Sequence, residues 1–238
     1  MRPSTRTAAG RRAKGAVAPW RWQIDARTLW VVPDRVCRVL SWAPLGGGFR
    51  IAHLLANHQV RVDEREAVRA PRAWLARVAR AAGHDPRRTV ALMTGAEVAR
   101  AGHAVAARAG VRVGAWCTAG FSNALRAGDR ATVLSTHAGT INLIVVVNRP
   151  LTRAAMVEAV QIATEARALA VLEAGIESVR SGAPATGTGT DCIAIATPVR
   201  AMAPGVRAER YCGKHTLVGE LIGRAVLESC ARAIRRTR

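Results

Sequence analysis

From Ile141 to Val147 the chain reads Ile-Asn-Leu-Ile-Val-Val-Val, an apolar run interrupted only by Asn142. A β-branched run of strand length without alternation is buried on both faces, so it needs a layer above and a layer below. That segment alone excludes a fold whose central sheet has one solvated face. Directly after it, Pro150 and Thr152 predict a helix start with Thr152 as N-cap. The helix runs to about Ala174 and is stopped by Gly175, a residue suited to the C′ position.

The remaining segments fit the same layered plan. The Val-, Trp- and Arg-rich stretch Trp20 to Trp42 predicts two or three short strands, and Gly46-Gly47-Gly48 breaks it before a short apolar element at Ile51 to Val60. Pro71 to Ala82 has helical spacing at Trp74, Leu75, Val78 and Ala82, with Pro71 in the first turn. Val90 to Met93, Val111 to Cys117 and Ile193 to Ala196 read as buried strands, and Thr216 to Ile234 as a long terminal helix. Its last turns carry Arg232, Arg235 and Arg236, which suit the negative end of the helix dipole. The expected fold class is α/β in the α+β layered sense: a mixed β-sheet core with helices packed on it, strands and helices alternating along one domain. That domain spans 19–238 and follows a disordered basic arm, 1–18. The order of the strands is not derivable.

Charge narrows the function classes. The chain carries 36 Lys+Arg against 16 Asp+Glu, a net +20, and only Lys14 and Lys214 are lysines. Between Gly110 and Pro198, however, seven Arg face six acids, so the segment with the richest polar motifs is almost neutral. Nucleic-acid recognition wants positive charge interleaved with aromatics or Gly-rich anion nests, and neither pattern is present, so no nucleic-acid partner is expected. No apolar run approaches the roughly 20 residues of a membrane span. Arg11-Arg12 is not followed by an apolar export segment, so a cytoplasmic location is expected. The five cysteines lack CxxC or C-x-x-H spacing, and Cys117 and Cys192 lie in apolar runs as core residues.

Four polar islands interrupt the apolar strands. The first, Thr118 to Ala124 followed by Ala127-Gly128-Asp129, contains Ser122 and Asn123 at the C-terminal end of a predicted strand, where open sheets place ligands. As a purely structural feature it is a strand-to-helix turn capped by Ser122 or Asn123. The second, His137 to Asn142, puts Asn142 inside the protein, where its amide must be hydrogen-bonded. Its Gly139-Thr140 pair is also a conceivable self-cleavage point that would expose Thr140 as an amine-activated nucleophile. The third, Ala163 to Arg167 in the long helix, puts Glu158 and Glu165 on one face. The fourth, Ala185 to Asp191, alternates Thr with Gly187 and Gly189 and offers N–H donors and hydroxyls to an anion or oxyanion. It lacks the lysine of a P-loop. Asp191 enters a strand, a costly place for an unpaired carboxylate, and His215 lies just before the last helix.

In order, the motifs TAGFSNA–AGD, GTIN with its strand and Asn148, ATEAR, ATGTGTD and GKHTxxGE resemble the adenosylcobinamide amidohydrolase family from about Leu40 to Ile234. Weaker matches are LGGG at Leu45 to Gly48, Asn57, and LMTGAEV at Leu92 to Val98. The resemblance implies hydrolysis of the amide between the aminopropanol arm and the corrin ring, with a corrinoid as substrate rather than cofactor. It also suits a pocket of amides and hydroxyls for a large, phosphate-free ligand. One departure is Arg167, where the family pattern leads us to expect lysine; arginine keeps the charge but supplies no neutral amine.

For such an enzyme, one assignment is a water activated by Asp191 or Glu165, with a divalent metal also held by His215, or His215 protonating the leaving amine. Gly187 to Gly189 would face the oxyanion, and Asn123 and Asn142 would orient amides. The rival is covalent attack by Thr188, Thr140 or Ser122. A different class of function, a corrinoid-binding protein without turnover, stays open.

Overall fold

The computed structural model describes residues 18–131, 139–201 and 205–237. The expected arm, apart from Ala18, and His137-Ala138 of the second island lie outside the described residues. In chain order the strands and helices are β1 (Trp20–Asp25), β2 (Thr28–Pro33), β3 (Cys37–Ser41), β4 (Gly48–Ala52), β5 (Leu54–Gln59), α1 (Arg65–Arg69), α2 (Pro71–Ala81), β6 (Thr89–Thr94), β7 (Gly102–Arg108), β8 (Val111–Thr118), β9 (Ala124–Leu125), β10 (Asn142–Val147), α3 (Arg153–Glu173), β11 (Gly187–Thr188), β12 (Cys192–Pro198) and α4 (Leu217–Thr237).

Ten of these strands form two sheets. One has the order β1-β2-β5-β6, the other β4-β3-β12-β10-β8-β7, and β9 and β11 pair separately. Both main sheets are mixed: β5–β6 and β10–β12 are parallel, and the other pairs in them are antiparallel. The expected strand–helix alternation holds where parallel strands are joined, at β5–α2–β6 and at β10–α3–β12. In the first half, two-residue hairpin turns connect β1 to β2 and β7 to β8, with Ala26 and Ala109 at positive φ.

The run at β10 is covered on both sides as its composition requires. Leu143, Val145 and Val147 join Val113, Ala115, Ile193 and Ile195 against α3 and α4. Ile144 and Val146 point the other way and meet Trp116, Leu29, Val31, Leu55 and Leu92 between the two sheets. Helix α2 covers the outer face of the smaller sheet through Leu75, over Trp30, Leu54, Ala56 and Ala91. The layers are thus helix, sheet, sheet, helix. Each fully buried aliphatic side chain contributes about 1.5–3 kcal/mol.

The helix punctuation acts as the residues demand. Thr152 accepts the Ala155 N–H at 3.2 Å, and Gly175 follows the C-cap at φ 64°. The parallel pairing of β10 and β12 aligns Asn142 with Cys192. The residues just before each strand, 139–141 and 186–191, consequently lie side by side at one edge of the central sheet. The five cysteines are buried and free; burial pushes the Cys192 thiol up to about 11 and Cys37 to about 12.

Candidate functional site

The entry into β10 and β12 is tied together by one carboxylate. Asp191 Oδ1 accepts the Ile141 N–H at 2.9 Å and the Thr188 hydroxyl; Oδ2 accepts the Thr188 N–H at 2.9 Å and the Arg167 guanidinium. These four donors occupy the carboxylate's usual acceptor sites, so Asp191 organises the cluster and has little capacity left to take a proton from water. The pair is buried, with side-chain exposures of 7% for Asp191 and 12% for Arg167. Arg167 Nε is itself buried without a hydrogen-bond partner, so this guanidinium leans on Asp191 for compensation. A cation is what the position requires, which accommodates arginine in place of the expected lysine.

Gly187 explains why the alternating Thr-Gly loop has glycine where it does. A Cβ there would collide with Asp191 Oδ2 and sit 3.1 Å from the Arg167 guanidinium. The N–H groups of this loop are largely committed. That of Thr188 goes to Asp191, and that of Gly189 reaches the Asn123 carbonyl at 3.4 Å. Of the oxyanion donors expected from the sequence at Gly187 to Gly189, the Thr188 and Gly189 N–H groups are therefore already engaged.

Beside the carboxylate lies a chain of hydroxyls. Thr190 Oγ1 donates to the Gly139 carbonyl at 3.0 Å, and its separation from Thr140 Oγ1 is 2.7 Å. Because the Thr190 proton is directed at Gly139, Thr140 is the donor in the second bond. The backbone on either side is held: the Thr140 carbonyl accepts the Gly120 N–H at 3.1 Å, and Cys192 N–H reaches the Ile141 carbonyl at 3.3 Å. Gly139 is pressed against the first island, since a Cβ would come within 2.6 Å of Ser122 N and 2.7 Å of the Gly120 carbonyl. The expected strand-to-helix turn at Ser122-Asn123 is instead a turn into β9, because Ala124 and Leu125 pair with Thr188 and Gly187.

The structure thus brings Thr140, Thr188, Asp191, Gly187, Gly189, Ser122 and Asn123 to one locality. Asn142 lies two residues beyond Thr140, 1% exposed, and points between the sheets. Its Nδ2 donates to Asn57 Oδ1 at 2.9 Å and to the Met93 carbonyl at 2.8 Å, and Asn57 donates to Thr118 Oγ1 at 2.9 Å. Glu165 is elsewhere. It stands two residues from Arg167, about 200° around the helix, and pairs with Lys214 at 2.5 Å, the hydrogen bond that holds its carboxyl below the usual range. Glu158 accepts the Cys212 N–H, so both glutamates on that face grip the loop before α4. His215 is exposed in the same loop. Among the described residues no group of three or more His, Cys, Asp and Glu could hold a metal ion.

Two residues escaped the sequence reading. Thr190 had only its place in the Thr-Gly alternation to mark it. Trp42 follows β3 and donates its Nε1–H to the Asp191 carbonyl at 2.8 Å, while 53% of the residue stays exposed. Phe49 and Ile51 on the adjoining edge strand β4 are exposed as well.

A family model described as adenosylcobinamide amidohydrolase matches residues 20–238. The chain belongs to that family. It is 31% identical over 206 residues to an uncharacterized protein of Methanocaldococcus jannaschii, MJ1613, covering 79% of this chain and 78% of that protein. Among solved structures, the Burkholderia sp. beta-aminopeptidase aligns over 89% of this chain and 78% of its own with 16% identity and a TM-score of 0.47. The L-aminopeptidase D-Ala-esterase/amidase of Ochrobactrum anthropi aligns over 92% and 83% with 11% identity and a TM-score of 0.40. Membership of the family makes this chain a member of a group of amide hydrolases, and no described helix is long and apolar enough to cross a membrane.

Proposed function

We propose that this family member hydrolyses the amide joining the aminopropanol arm to the corrin ring of adenosylcobinamide. The products are adenosylcobyric acid and (R)-1-aminopropan-2-ol, a reaction that lets incomplete corrinoids be salvaged. The observation that carries the reading is the hydroxyl chain Thr140–Thr190 aimed at an amide carbonyl, in a chain whose family match spans residues 20–238. Amide hydrolysis needs a nucleophile, a path for its proton and a polarised carbonyl oxygen. Thr140 supplies the nucleophilic oxygen and Thr190 the proton path. Asp191 positions Thr140 through the Ile141 N–H, and Arg167 compensates the charge of Asp191.

The surroundings suit the substrate class. A corrinoid is broad, rich in amides and apolar edges, and adenosylcobinamide has no phosphate. Trp42 offers a fixed ring face beside Asp191, and its held Nε1–H leaves the rest of the ring to contact an apolar ligand. Asn123, whose Oδ1 is buried without a partner, is the amide group best placed to read a side-chain amide of the substrate.

The test is mass spectrometry of the purified protein incubated with adenosylcobinamide. Equal release of adenosylcobyric acid and aminopropanol is the expected result. A change in the corrin spectrum without released amine would overturn the enzyme reading in favour of a corrinoid-binding protein.

A further inference from the structure

We infer that the chain cuts its own backbone between Gly139 and Thr140, and that the α-amine released on Thr140 is the general base of the mature site. The inference deepens the amidohydrolase reading and rests on it for the final step. Three observations point to it. The Thr140 side chain sits next to the Gly139 carbonyl carbon by covalent connection, and the one proton of Thr190 is directed at that carbonyl's oxygen. Thr140 in turn donates to Thr190, so the nucleophile's proton and the carbonyl it would attack are linked through one hydroxyl. In the uncut chain Thr140 is only 3% exposed, too covered for a bulky substrate to reach its oxygen.

A further observation concerns the base. The side-chain partners of Thr140 and Thr190 are hydroxyls and a carbonyl, none of which takes up a proton near neutrality. Asp191 is filled by four donors, Glu165 is paired with Lys214 on another flank of α3, and His215 lies in the loop beside Lys214. An α-amine titrates near pH 8, close to the value a general base needs. Cutting this peptide creates one on the residue that bears the nucleophile.

The step balances as follows. Thr140 Oγ1 adds to the Gly139 carbonyl carbon, its proton passing to Thr190 as the Thr190 proton passes to the carbonyl oxygen. The resulting neutral tetrahedral centre collapses with transfer of a proton to nitrogen and breakage of the C–N bond. This leaves an ester between Gly139 and Thr140 and a free amine. One water then hydrolyses the ester, giving a Gly139 carboxyl group and restoring the Thr140 hydroxyl. Thereafter the same oxygen, deprotonated by its own amine, attacks the corrinoid amide.

The test is intact mass under denaturing conditions on the purified full-length chain, with N-terminal sequencing. Two fragments, 1–139 and 140–238, are expected, with masses summing to the uncut chain plus one water and the second beginning Thr-Ile-Asn. Thr140→Ser should still be cut, Thr140→Ala should remain whole with an unchanged far-UV spectrum, and Thr190→Val should be cut at least tenfold more slowly. A whole wild-type chain that hydrolyses adenosylcobinamide would overturn the inference and leave the proposed function standing. A cut chain that releases no amine would do the reverse. Cutting of the Thr140→Ala variant at the same bond would also overturn it, by pointing to a foreign protease.

Discussion

The Asp191–Arg167 pair makes a prediction about asymmetry. Replacing Asp191 with asparagine removes the charge facing a buried guanidinium whose Nε already has no partner, and turns an NH2 group towards a set of donors. Breaking a buried pair this way costs about 3–5 kcal/mol. Arg167→Met removes the same pair from the other side, but Asp191 keeps three donors in Ile141 N–H, Thr188 N–H and the Thr188 hydroxyl. Its cost is the lost charge-assisted bond, about 1.5–3 kcal/mol. Urea unfolding followed by tryptophan fluorescence, compared at a common m-value, measures both. The double variant should be destabilised by less than the sum, since the penalty of an orphaned charge disappears when both partners go. If Arg167→Met proved as costly as Asp191→Asn, the claim that the carboxylate is independently held by backbone donors would be wrong.

Other outcomes follow from neighbouring contacts. Gly187→Ala places a methyl against Asp191 Oδ2 and Arg167, so it should destabilise by about 1–3 kcal/mol and abolish amide hydrolysis; a variant with wild-type turnover would refute the close packing. Trp42→Ala should raise KM for adenosylcobinamide roughly tenfold with stability nearly unchanged, and an unaltered KM would remove Trp42 from the substrate surface. Burial, with Arg232 nearby, pushes His103 down to about 4, while its ring stacks on Trp116. The unfolded chain therefore takes up this proton first as pH falls. His103 lets the fold keep full stability above pH 6.5 and lose, towards pH 4, an amount we put at about 2 kcal/mol after discounting for partial exposure. His103→Phe should flatten part of that decline in urea midpoints between pH 7 and 5, the rest coming from His58, which burial also lowers.

What could be read from the residues alone was what is local. The buried β10 run, the Thr152 cap, the Gly175 stop and α2 from Pro71 all rest on spacing within a few residues, and each lies where that spacing puts it. Strand β7 was not foreseen. Its Gly-His-Ala-Val-Ala-Ala-Arg sequence has few β-branched residues and becomes a strand because β8 pairs with it and α4 packs on it. The hairpins at Ala26 and Ala109 were equally silent, because alanine at positive φ replaces the usual Asn-Gly signal. At the site, Asp191 and Arg167 were each visible as unusual residues, but their pairing spans 24 positions and depends on how α3 lies against β12. Glu165 and His215 carried plausible chemistry by residue type, and only the tertiary pairing of Glu165 on α3 with Lys214 shows that it grips the loop before α4, where His215 also lies.

The strand order of the larger sheet has a mechanical consequence. Strands β12 and β10 lie between β3 on one side and β8 on the other, and both follow residue 139 in the chain, whereas β3 and β8 precede it. The two portions of polypeptide are therefore interleaved like the fingers of clasped hands. Helices α3 and α4 come from the later portion and roof the combined sheet, while Asn57 from the earlier portion hydrogen-bonds Asn142 from the later one. A single interruption of the backbone between β9 and β10 would leave no seam along which the pieces could part. They would migrate together as one particle through any column that does not unfold them, and separate only in denaturant.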